Sequence, residues 1–137
     1  MMRALVLGLW VGCAAAPDGP AAGPDLQFDR DRLDGTLARI ADLARAGRTS
    51  RELHDRYHVQ YALVLRGSQL TVTVWAEPVR ESTPSQVAAA VERAGGEVLE
   101  GTEGVVRARL LLDQIGALSR DPVVRMIRIV RHEEPLP

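Results

Sequence analysis

Leu70-Thr71-Val72-Thr73-Val74-Trp75 is the stretch from which the fold is read. Apolar residues alternate with threonines, the period of a strand that buries one face. A helix start follows at Thr83-Pro84-Ser85-Gln86. Thr83 serves as the cap, Pro84 takes the first helical position, and Gln86 reaches back to the cap. Val87, Ala88, Val91 and Ala94 form the apolar stripe of a helix over residues 84–94. Gly95 suits the left-handed position that closes it.

Two further strands read at Glu97–Glu100 and Val105–Leu110, joined by Glu100-Gly101-Thr102-Glu103-Gly104. A second helix, lined by Leu112, Ile115 and Leu118, covers Asp113–Ser119. Pro122 in Asp121-Pro122 forbids its continuation. The closing strand is Val123–Val130, with Arg125 and Arg128 solvated. Strand, helix, strand, strand, helix, strand is the split βαβ order of a ferredoxin-like α+β core, here over residues 69–130.

Two segments precede this core. Leu33, Leu37, Ile40 and Leu43-Ala44 recur at helical spacing, which predicts a helix from Asp31 to Ala46. Asp29, Asp31 and Asp34 lie near its start, where the helix dipole favours acids. Thr49-Ser50-Arg51-Glu52 is a capping box for a short helix carrying Leu53 and Tyr57. Val59–Leu65 reads as a strand and Arg66-Gly67-Ser68-Gln69 as a turn into Leu70. That hairpin adds a fifth strand to the sheet, with the 31–46 helix packed beside it. The domain organisation expected is a signal-like segment over 1–16, a flexible linker over 17–28 and one α+β domain over 29–137, ending in a tail over 131–137.

The 137 residues suffice for one modest domain and an appendage. A net charge of −1 gives no reason to expect nucleic acid or an anionic membrane surface as partner. All 17 basic side chains are arginine, which we read as coding bias. At the N-terminus, Arg3 precedes the apolar run Ala4–Gly12, followed by Ala14-Ala15-Ala16 and a Pro/Gly/Ala-rich stretch. This is the pattern of an export signal. Cys13, the single cysteine, ends the apolar run behind Gly12 and resembles the lipidated cysteine of bacterial lipoproteins, although Trp10 stands where a leucine is usual. The expectation is an exported protein, anchored to the cell envelope through a lipid on Cys13 or secreted; the alternative is a cytoplasmic protein whose signal is not used. A lone cysteine excludes an intrachain disulfide.

No Gly-x-Ser-x-Gly, P-loop, Rossmann or HExxH pattern occurs, so neither enzymatic activity nor a cofactor is expected. His54 and His58 stand four apart, but a metal reading needs more ligands and His132 is the only other histidine. No metal is expected.

Gly95-Gly96-Glu97-Val98, the strand after it, the Leu-rich helix and Asp121-Pro122-Val123-Val124 together resemble the propeptide of subtilisin-family serine proteases, the inhibitor I9 type. The resemblance covers about Leu70 to Leu136. It implies a partner rather than a reaction. Such a module docks its sheet on the protease and lays its C-terminal tail in the substrate cleft, by β-augmentation. With Asp121-Pro122 aligned, Leu136 enters the primary specificity pocket, Pro135 the second, Glu134 the third and Glu133 the fourth. Pro137 then lies just past the scissile position. A proline there lacks the N–H and restricts the residue before it, so the tail would be cleaved poorly. The family has acidic residues in and after the last strand; Arg128 and Val130 stand at those positions here.

Two functions are carried forward. One is a propeptide-like inhibitor or chaperone of a subtilisin-like serine protease, acting through Glu133, Glu134, Pro135, Leu136 and Pro137. The other is a non-enzymatic envelope lipoprotein serving as a structural or protein-interaction module, its tail a plain chain end.

Overall fold

The computed structural model describes residues 19–23, 25–102 and 104–132. Helices α1 (Gly35–Arg45) and α2 (Ser50–Tyr57) come first. Strands β1 (Leu63–Arg66) and β2 (Gln69–Pro78) follow, then helix α3 (Pro84–Arg93). Strands β3 (Glu97–Thr102) and β4 (Val105–Leu111), helix α4 (Leu112–Ser119) and strand β5 (Val124–Ile129) complete the elements of the described residues.

The five strands form one antiparallel sheet. Across its core the order is β5-β2-β4-β3, the split βαβ arrangement, so the fold is the expected α+β ferredoxin-like one. Strand β1 is the extra hairpin strand. It pairs with the first half of β2, Leu63 opposite Val72, while β5 pairs with the second half on the same edge, Val74 opposite Ile129.

Alternation along the strands separates two faces. Leu70, Val72, Val74 and Ala76 of β2, with Val106, Ala108 and Leu110 of β4, point under the helices and are buried. They join Leu37 and Ile40 of α1, Leu53 of α2, Val87 and Val91 of α3, and Ile115 and Leu118 of α4 in one core. Each fully buried Val, Leu or Ile contributes roughly 1.5–3 kcal/mol. All four helices therefore share one face of the sheet.

Local signals account for the helix limits. Both capping boxes form: Thr83 N–H donates to Gln86 Oε1 at 2.8 Å, and Thr49 N–H to Glu52 Oε1 at 3.1 Å. Gly95 takes φ 92 just after α3. Gly116, inside α4, has a different reason: a Cβ there would lie 2.3 Å from the Gln27 carbonyl oxygen. The chain ahead of α1 is pressed on α4 at this point. Asp29 N–H donates to the buried Ser119 hydroxyl at 2.9 Å.

Several expected limits differ. The helix expected from Asp31 to Ala46 begins at Gly35, because Asp34 caps it and Asp29 caps a separate 3-10 turn over Arg30–Arg32. This helix packs mainly on α2 and β5; α2 is the one that lies against β1 and β2. The strand expected over Val59–Leu65 is divided. Residues 58–60 are a turn, Tyr61 pairs with Arg131, and only Leu63–Arg66 pairs with β2. Within the expected linker, Pro20 bridges Thr49, Ser50 N–H donates to Gly19 O at 3.0 Å, and Leu26 is buried in the core.

Candidate functional site: the outer sheet face and the exit of the last strand

With the helices on one side, the other face of the sheet is, among the described residues, left to its own side chains. Trp75 lies at its centre, only 4% exposed although outside the helix-covered core. Register places Arg107 of β4 on one side of it and Arg128 of β5 on the other. The Arg107 guanidinium lies over the indole, 5.8 Å from its centroid. The Arg107 guanidinium thus helps to shield the ring from water.

Ion pairs knit the face together. Glu100 meets Arg107 at 3.1 Å and Glu97 meets Arg109 at 3.2 Å, both across β3–β4. Glu77 holds Arg128 at 3.0 Å and also pairs with Arg125. Arg125 and Arg128, read from the sequence as merely wet, are therefore shared by one carboxylate. Such exposed pairs contribute only about 0.2–1 kcal/mol each. Their effect is to fix where charge sits: two arginine rows flank Trp75, with carboxylates between and beyond them. The Nε atoms of Arg107 and Arg109 are buried and have no acceptor among the described residues.

The second feature is the end of β5. Its outer edge is covered: Leu33 bridges Ile127, Asp34 N–H donates to Ile127 O at 3.0 Å, and Ile129 N–H donates to Asp34 Oδ2 at 2.8 Å. Its other edge leaves β2 at Thr73, whose carbonyl accepts from Val130 N–H at 3.0 Å. The chain then passes to the segment before β1. Ala62 N–H donates to Val130 O at 2.9 Å, Tyr61 bridges Arg131, and His132 N–H donates to Gln60 O at 3.0 Å. The Arg131 guanidinium lies 5.7 Å from the Tyr61 ring centroid.

All three histidines meet here. The His132 Nε2 is 2.8 Å from the carbonyl of His58, the residue that ends α2. His58 Nδ1 is 2.9 Å from His54 O, and the two rings stack with centroids 4.5 Å apart. The His132 ring N–H thus donates to a carbonyl at the helix end, and the His58 ring N–H adds to the backbone bond that His54 O already accepts. Among the described residues no group of three or more His, Cys, Asp or Glu is placed to hold a metal, and no helix is long and apolar enough to cross a membrane.

The sequence-predicted site residues Cys13, Glu133, Glu134, Pro135, Leu136 and Pro137 lie outside the described residues. Trp75, Glu77 and Tyr61 were not singled out from the sequence, and Asp34 was read only as one of three acids near the start of a helix. Only Trp75 carried a readable signal, since it falls in step with Thr71 and Thr73 rather than with Val72 and Val74. Compared with protein-family models, curated proteins and solved structures, the chain matches none.

Proposed function

We propose that this chain is a propeptide-like inhibitor or chaperone of a subtilisin-like serine protease. Its outer sheet face docks on the enzyme and residues 133–137 enter the substrate cleft. The observation that carries this reading is geometric. Among the described residues one sheet face is clear of helices, and the last strand is held against the fold up to His132, at the point where the tail begins. A partner seated on that face would meet the tail at its rim. Leu136 then supplies the apolar side chain for the primary pocket, and Pro137 makes the following bond a poor substrate. The test is inhibition of a bacterial subtilisin hydrolysing a chromogenic peptide. Competitive inhibition by the whole chain at submicromolar concentration is the expected result; unchanged hydrolysis at high micromolar concentration refutes the reading.

One observation favours a second reading, a non-enzymatic envelope lipoprotein acting as a structural or interaction module. Glu77, Glu97 and Glu100 already pair the arginines of the outer face, so that face is suited to water as it stands. Under both readings the membrane is met only through a lipid on Cys13. Incorporation of labelled palmitate, abolished in Cys13→Ser, tests that anchor; equal labelling of both chains contradicts it.

A further inference from the structure

The segment that holds the last strand lies outside the ferredoxin-like core. Strand β5 and residues 130–132 are gripped from two sides by the chain that precedes β2. Asp34, at the start of α1, takes the amide of Ile129 on one edge. Gln60, Tyr61 and Ala62, between α2 and β1, take residues 130–132 on the other. The two grips are tied together, because the Thr36 and Tyr61 hydroxyls lie 3.2 Å apart. The His132 ring extends the second grip to the end of α2 through the His58 carbonyl.

We infer that the N-terminal unit, α1 with the α2–β1 connection, is a bracket that fixes where and in which direction the C-terminal tail leaves the fold, with His132 as a positioning residue. The inference rests on the proposed entry of that tail into a protease cleft. One edge of the chain is engaged through Ile129 and the other as far as His132, so the residues proposed to enter the cleft, 133–137, follow directly on the gripped segment. Five extended residues reach about 17 Å. The partner's cleft must therefore open within that distance of His132, on the side to which Gln60–Ala62 directs the chain. Holding the exit in one direction removes an ordering cost from binding.

The experiment uses the whole chain and a bacterial subtilisin as probe. His132→Ala should raise the inhibition constant roughly tenfold, an effect of the size expected for lost pre-organisation. It should also speed hydrogen exchange at the His132 amide while barely moving the thermal midpoint. His132→Gln, which restores a side-chain donor, should recover most of the inhibition. Insertion of Gly-Gly between His132 and Glu133 leaves the bracket and the tail sequence intact but uncouples them, and should weaken inhibition by a similar factor. Undiminished inhibition by both His132→Ala and the insertion overturns the bracket. Failure of the parent reading looks different: the unaltered chain then does not inhibit at all, and exchange at the His132 amide in His132→Ala decides the bracket alone. An unchanged exchange rate there overturns it.

Discussion

The carboxylate of Asp34 serves two amides at once: Oδ1 accepts from Leu37 N–H at 2.7 Å and Oδ2 from Ile129 N–H at 2.8 Å. One side chain thereby starts α1 and closes the outer edge of the last strand. An open strand edge invites pairing with other chains, and here the main chain of Leu33 and Asp34 covers it.

Removing that carboxylate should cost more than an ordinary cap. Asp34→Ala loses a helix cap and leaves the Ile129 amide without its acceptor. The expected loss is about 2–4 kcal/mol, measured by urea denaturation. Asp34→Asn keeps an oxygen for one amide and should lose about half as much. A loss below about 0.5 kcal/mol for Asp34→Ala would mean that α1 does not depend on this link.

Gly116 sets helix propensity against packing. In an exposed helix Gly→Ala stabilises by about 1 kcal/mol. At Gly116 the added Cβ meets the Gln27 carbonyl oxygen at 2.3 Å and Leu26 Cδ1 at 3.2 Å. Backbone cannot swing aside as a side chain can, so Gly116→Ala should destabilise by about 1–3 kcal/mol. A rise in the denaturation midpoint would show that residues 26–27 do not press on α4.

Glu52 gives a pH dependence of known sign. The Thr49 backbone N–H, aided by the Thr49 hydroxyl and Arg48, holds its carboxyl below the ordinary value of 4.5, against a smaller opposing effect of burial. A lowered folded value means that the ionised form is favoured by folding. Its contribution is complete above the unfolded value and is lost as pH falls through the folded one. Denaturation of the parent and of Glu52→Gln should differ by a constant amount above about pH 5, and the difference should shrink below that. A difference that grows on acidification contradicts the capping role.

Arg107 is the lid of Trp75. Arg107→Ala removes a cation–π contact and the partner of Glu100, a loss of about 1 kcal/mol. The sharper readout is optical. In a Trp10→Phe background, acrylamide should quench Trp75 more readily once Arg107 is gone. Equal quenching would mean that other side chains bury the ring.

How far the fold could be read follows from where the information lies. The helices of the core announced themselves locally, through Thr83-Pro84, Gly95 and Asp121-Pro122, and alternation in β2 gave the strand period. The order of elements then left the split βαβ arrangement as the fold. What failed depended on distant partners. Val59–Leu65 reads as one strand, yet Tyr61 bridges Arg131, Ala62 bonds both Val130 and Thr73, and Leu63–Arg66 pairs with β2. Nothing local marks that division. Three acids near α1 gave no means of choosing Asp34 as its cap, because the choice depends on the Ile129 amide, far away in sequence. The pairing of Arg125 and Arg128 with Glu77 is hidden for the same reason: it needs the β2–β5 register.

The proposed function turns on the last residues, and one comparison tests it most directly. The whole chain and a variant lacking Pro135–Pro137 are titrated against a bacterial subtilisin under identical conditions. Truncation removes the side chain assigned to the primary pocket and the proline that protects the bond after it. The inhibition constant should rise by at least about a hundredfold, as expected for loss of a buried anchor. Equal inhibition by the two chains, or none by either, contradicts the account.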